Sequence, residues 1–189
     1  MVYFKALLLF WKSDQKTKEK IKAVFWLAYY YSWISKLDSR LKKANMGYIP
    51  RLHPYIYYAV RLRSYVIKHS SKSYILERIA GHYEGISKYV NPEEMKSIFS
   101  DGITIWSGEF DDLIMRINLV YIHRMRNEGQ LTLQLVVNSE DTYFIHFHIY
   151  DNALWVAGIQ GVRGKLDLNR KLTKITNGLR PQNLIYFAL

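Results

Sequence analysis

Cysteine is absent from all 189 residues. That excludes disulfides, thiolate catalysis and Cys-ligated zinc, and it fits a reducing compartment. Long apolar runs are also missing. None reaches the ~20 residues needed to span a bilayer. The run Ala6-Leu7-Leu8-Leu9-Phe10-Trp11 is too short for a signal core and has no small-residue cleavage site after it. The chain therefore reads as neither transmembrane nor exported by a cleaved signal. Negative charge is scarce in one half only. Residues 1–90 hold 17 of the 27 Lys/Arg and 5 of the 16 Asp/Glu, which leaves +12 there and −1 in the remainder. Such asymmetry points the N-terminal half toward an anionic surface, whether lipid headgroups, nucleic acid or an acidic partner. No P-loop, dinucleotide fingerprint or Ser-His-Asp spacing occurs.

What remains is a folding composition. At 22.5 kDa, with 49% hydrophobic and 23% charged residues, the chain has ample material for a core. Residues 16–43 read as a helix with lysines at both ends and an apolar centre, Ala23 to Ile34. A helix apolar all round is buried among other helices. Trp26, Tyr29, Tyr30, Tyr31 and Trp33 between lysine clusters also suit a membrane interface. The width of the apolar stripe favours burial, and the aromatics are too consecutive for a nucleic-acid face. The loop around Gly47, Pro50 and Pro54 separates this helix from helical spacing in 55–69 and 72–89. In the second of these, Ile75, Ile79, His82, Ile86 and Tyr89 share a face. Asn91-Pro92-Glu93-Glu94 is a helix start, and that helix ends near Phe99.

After Asp101-Gly102 the pattern changes. Residues 103–110, 113–126, 130–138, 142–150 and 153–160 are β-branched and aromatic, with short polar turns between them. Asp151-Asn152 has the length of a two-residue hairpin. The fold class is therefore α+β: a basic helical region over 1–100, then an antiparallel meander sheet with C-terminal helices over 101–189, as one continuous domain.

The strand 153–160 leads into Gly158-Ile159-Gln160-Gly161, then Leu172-Thr173-Lys174, then Gly178-Leu179-Arg180-Pro181-Gln182-Asn183-Leu184. This string resembles the VirK/YbjX family of Gram-negative bacterial proteins. His53-Pro54-Tyr55, His82-Tyr83, Glu128-Gly129 with "QLTLQL", and "DTYFIHFHIY" agree in order, so the resemblance covers roughly 45 to 189. Gln182 departs from it, since the family has lysine there. Family members continue further, and Leu184 to Leu189 is apolar throughout, so the chain is expected to lack the family's C-terminal part. The resemblance implies virulence, resistance to cationic antimicrobial peptides and cell-envelope function, with no settled reaction.

The meander followed by strand, turn and helix also looks like the core of a Gcn-related N-acetyltransferase (GNAT) fold. That likeness implies an acyl-CoA as cofactor, its pyrophosphate at a helix N-terminus. Gln160, Gly161, Arg163 and Gly164 would form the turn and Leu168 to Thr176 the helix, with Thr173, Lys174 and Arg180 as further cofactor-binding candidates. His82, in "GHYEG", and Glu128, in "NEGQ", are the catalytic candidates. His146 and His148 share a strand face near His123, but no third ligand has motif spacing, so no metal is expected. The expected partner is an anionic membrane surface or an acidic protein met by residues 16–43. The expected location is cytoplasmic, peripheral at the inner membrane.

Overall fold

The computed structural model describes residues 25, 28–53, 56–57, 71–122 and 129–189. The chain divides into two compact units, residues 1–92 with 149–153 and residues 93–148 with 154–189.

In the first unit, α1 (Tyr31–Lys43) buries Ile34, Leu37, Asp38 and Leu41, the one-faced spacing of an amphipathic helix. It ends because Asn45 takes a left-handed φ of 60°. That turn lets the Met46 N–H reach back to the Leu41 carbonyl at 2.7 Å and satisfy an orphan acceptor. A short α2 (Ile49–Leu52) follows, with proline in its first turn. Helix α3 (Lys72–Ile86) starts at Ser71, whose Oγ accepts from the Tyr74 N–H at 3.1 Å. Its buried face includes Ile75, Ile79, His82 and Ile86, as the helical spacing predicts, but Tyr89, expected on the same face, lies past the helix end and is 71% exposed.

Helices α1 and α3 pack together, and charge ties them. Arg40 donates from Nε and Nη2 to both oxygens of Glu84, at 2.7 and 2.6 Å, and from Nη1 to Glu77 at 2.5 Å. The two acids lie seven residues apart on α3, so one guanidinium fork spans two turns. Beneath this, buried Asp38 accepts from the Tyr57 hydroxyl at 3.0 Å and pairs with Lys42 at 2.5 Å.

The N-terminal helix departs from its expected burial. Of its aromatics within the described residues, Tyr29 is 80% and Tyr31 48% exposed, and Phe25 is 75% exposed. Among the described residues α1 is buried on one face, so an all-round apolar sequence overestimates burial. Residues 16–24, Trp26, and nearly all of the helix predicted over 55–69 lie outside the described residues.

The second unit opens with α4 (Pro92–Ser100), which carries Glu93 and Glu94 in its first turn and buries Met95 and Ile98. Gly102, at φ 81°, ends it with an N–H to the Ser97 carbonyl at 2.7 Å. Five strands follow in a sheet of order β1-β2-β3-β4-β5: β1 (Ile103–Phe110), β2 (Leu113–Val120), β3 (Leu131–Val137), β4 (Glu140–Tyr150) and β5 (Ala153–Gly161). β2 stops at Val120 rather than continuing to 126, and residues 123–128 lie outside the described residues. Asp111, Asn138, Ser139, Asp151 and Asn152 all have positive φ, the left-handed backbone that Asn and Asp tolerate in tight hairpins.

The pairing is antiparallel, with Leu119 opposite Leu133 and Leu133 opposite Ile145. That register gathers Leu113, Met115, Ile117, Leu119, Leu131, Leu133, Leu135, Val137, Ile145 and Phe147 into a buried set. Two helices close the chain, α5 (Leu166–Ile175) and α6 (Pro181–Tyr186), and α6 packs on β3. The α+β class and the five-strand antiparallel meander stand.

Burial, then the charge and hydrogen bond of Asp38, pushes the Tyr57 hydroxyl well above its ordinary range. A raised pKa contributes stability that is present below the unfolded value, about 10, and lost as pH rises toward the folded one. Thermal melts between pH 8 and 12 should therefore show a decline above about pH 10. That decline should be shallower in Tyr57→Phe; equal slopes would remove Tyr57 as its source.

Candidate functional site

The segment from β5 to α6 carries most of the candidate binding residues. The Asp151–Asn152 turn places β5 beside β4, and His148 stacks on Trp155 with ring centroids 6.2 Å apart. β5 is the last strand in the sheet order, so one edge has no strand partner among the described residues. Its sequence, ALWVAGIQG, has no charge, and Leu154, Trp155, Val156 and Ile159 are exposed. Natural edge strands are usually defended by charge or proline, and this one is not.

At the end of β5 the backbone is shaped by two glycines for different reasons. A Cβ on Gly161 would lie 3.1 Å from the Tyr143 ring, so the ring rests on bare backbone. Gly164 has nothing within 4 Å of its would-be Cβ, but its φ of +77° favours glycine. Between them the Val162 N–H donates to the Thr142 carbonyl at 2.9 Å, and Lys165 pairs with Glu140 at 2.5 Å. Gln160, Gly161, Arg163 and Gly164 are therefore together, all exposed, at the entrance of α5.

Helix α5 begins two residues earlier than its sequence suggests, and no side chain caps its first turn. Its opening N–H groups carry the partial positive charge of a helix start. Asp167 in that turn already supplies some negative charge, and its carboxylate sits 3.4 Å from Arg170. The other three binding candidates are elsewhere. Thr173 donates its hydroxyl to the Asn169 carbonyl at 2.8 Å, and Lys174 is exposed in the last turn. Arg180, exposed and extended, precedes α6. Thr173 and Lys174 lie seven and eight residues past the start of α5, roughly 10–12 Å along its axis at 1.5 Å each. Gly178, at φ +90°, ends α5 by donating its N–H to the Thr173 carbonyl at 2.7 Å, which accounts for the Gly-Leu-Arg-Pro string structurally.

His82 lies in the other unit, fully buried on α3. Its Nδ1 accepts the Ile149 N–H at 2.9 Å, which requires a lone pair there and puts the proton of the neutral ring on Nε2. The glycines around it serve the same contact. A Cβ on Gly81 would come 2.5 Å from the Tyr150 ring, and one on Gly85 would come 2.5 Å from Ile149 Cγ2. "GHYEG" is thus a helix face shaved to the backbone so that α3 can approach residues 149–150. Arg78 completes it by lying 4.0 Å above the Tyr150 ring. Glu84, within the motif, belongs to Arg40 instead. Glu128 and His123 lie outside the described residues.

A family model described as a protein of unknown function (DUF535) matches residues 12–189. The chain belongs to the DUF535 family. No curated protein matched it, and no solved structure did.

The match takes in both regions of this DUF535 protein that carry candidate residues, the α3 glycine-histidine face and the β5–α5 turn. A third polar feature emerges only from strand register. Thr104 donates to Asn118 at 2.9 Å, Asn118 to Gln134 at 3.5 Å, and Gln134 to Asp141 at 2.6 Å, a ladder crossing four strands. Beside it, Thr132 and His146 share a buried hydrogen bond of 2.9 Å. Sequence reading singled out the histidine but had no way to identify the threonine opposite it. Among the described residues, no three His, Cys, Asp or Glu side chains gather as a metal set.

Replacing Gly81 with alanine tests the α3 face in this DUF535 protein. Helix propensity alone would favour alanine by roughly 1 kcal/mol, yet overpacking against Tyr150 should outweigh it and cost about 1–3 kcal/mol. Urea unfolding of Gly81→Ala should therefore show a lower midpoint at unchanged slope. A higher midpoint would mean that α3 stands further off than the 2.5 Å contact requires.

Proposed function

We propose that this DUF535 chain is a VirK/YbjX-type protein serving cell-envelope function and resistance to cationic antimicrobial peptides, and that its β5–α5 segment binds an acyl-CoA as a GNAT-like core does. The observation that carries this reading is a continuity: an open, uncharged strand edge runs through a glycine turn into a helix start with no side-chain cap. Backbone amides on the free edge of β5 suit the amides of a pantetheine arm. The first-turn N–H groups of α5, with Arg163 beside them, suit a pyrophosphate. Gly164 leaves the approach unobstructed, with no atom within 4 Å of its Cβ direction.

An acyl-CoA, when bound, would supply the activated acyl group. In this reading the chain's own residues hold the carrier and keep its charge matched. Lys165 is neutralised by Glu140, so Arg163 is the base that the turn can offer. His82 is assigned to packing, because its Nδ1 is spent on Ile149. Thr173 and Lys174 lie in the last turn of α5 and Arg180 precedes α6, and this reading seats the pyrophosphate at the glycine turn with Arg163.

Thermal melts with acetyl-CoA and long-chain acyl-CoA test the reading. Ligand at 100 times its dissociation constant stabilises by about 2.7 kcal/mol, or roughly 5–10 °C for a chain of this size. Arg163→Glu should lose most of that shift while keeping its own melting temperature, since the side chain is exposed. The absence of a shift with any acyl-CoA or acyl carrier protein would overturn it.

A further inference from the structure

The surface of the first unit opposite the α1 core face is cationic, aromatic and uncovered. Positions 32, 36, 39 and 43 recur at helical spacing, and all four are exposed: Ser32, Lys36, Ser39 and Lys43. Ahead of α1, before the turn at Tyr30, Tyr29 and Phe25 are 80% and 75% exposed. Two exposed aromatic rings thus precede the exposed lysines of α1 in the chain. Lys36 Nζ lies 5.3 Å from the half-buried Trp33 ring, so a cation already sits over an aromatic on this helix.

Among the described residues, the charge of this face has no acidic side chain to balance it. Every acid on α1 and α3 is engaged: Asp38 by Lys42 and the Tyr57 hydroxyl, Glu77 and Glu84 by Arg40. Lys36, Lys43 and Arg51 meet no acidic side chain among the described residues, and they belong to the half of the chain whose formal charge is +12. No described helix is long and apolar enough to cross a membrane.

We infer that exposed Phe25 and Tyr29, together with Lys36 and Lys43 on the outer face of α1, dock on an anionic lipid bilayer. Charge complementarity selects the occupant. Lysines with flexible stems reach phosphate headgroups while exposed rings enter the headgroup–acyl boundary. An acidic protein or a nucleic acid would use the lysines and leave Phe25, three-quarters exposed, without a role. The inference is independent of acyl-CoA binding, because it uses neither β5 nor α5.

The test is co-sedimentation of the full chain with vesicles of 3:1 phosphatidylcholine and phosphatidylglycerol, and with pure phosphatidylcholine. Binding should need the anionic lipid and fall steeply between 0.1 and 0.5 M salt. Lys36→Glu with Lys43→Glu should weaken partitioning by about tenfold or more, at roughly fivefold per basic residue at the surface. Phe25→Ser with Tyr29→Ser should also weaken it by about tenfold, with the melting temperature unchanged because both rings are exposed. Equal binding to neutral vesicles, or none to anionic ones, overturns the inference. So does an aromatic variant that binds as well as the parent, which would point to a polyanion such as nucleic acid or an acidic protein. If a variant fails to fold, the lipid and salt dependence of the parent chain alone decides.

Discussion

The strand register is the constraint on which the second unit depends. Side chains alternate faces along a strand, so a one-residue slip in β3 would put Thr132 and Gln134 in the places of Leu131, Leu133, Leu135 and Val137 and break the Thr132–His146 hydrogen bond. Two things hold the register. The short turns at Asp111, Asn138–Ser139 and Asp151–Asn152 adopt the left-handed backbone that hairpins of this length need. The leucine-rich faces of β2 and β3 are buried in one arrangement only. Asn138 does both jobs, turning the chain and accepting the Ile114 N–H at 2.8 Å on its side chain. β5 inherits its position from this arrangement, and with it the aim of the glycine turn and of α5.

The first unit is held by a different economy. There, the polar groups that enter the interior are matched one by one: Asp38 with Tyr57 and Lys42, and His82 with the Ile149 N–H. Buried polar groups are tolerable when satisfied, and they then confine the packing to one geometry. The Arg40 fork across Glu84 and Glu77 is half in solvent, so it adds orientation more than energy. Pairing the acids in this way leaves Lys36 and Lys43 of α1 without an acidic partner among the described residues. Internal satisfaction in the unit and the cationic outer face are therefore two consequences of one arrangement.

Strand and turn positions were the legible part of the fold. β1 was predicted to the residue, and β3, β4 and β5 to within two, because period-2 burial and Asn/Asp/Gly turns act locally. The site was less legible. The glycine turn with Gln160, Gly161, Arg163 and Gly164 is local and readable from its residues, whereas Thr173 and Lys174 fall in the last turn of α5 and Arg180 before α6. His82 reads as an acid–base candidate from the family resemblance that "GHYEG" carries, with Glu84 two residues on. The glycines are there for clearance, which depends on Ile149 and Tyr150, more than sixty residues away.

By itself the sequence determined the class of the fold, the order of its strands, the location of its turns and the imbalance of its charge, since each follows from residue type and short-range spacing. Tertiary structure decided which face of the N-terminal helix is covered, which acids are neutralised, and that β5 has an open edge. These outcomes depend on what packs against what. A pattern that is apolar on every side states how much surface could be buried, and only the partner determines how much of it is.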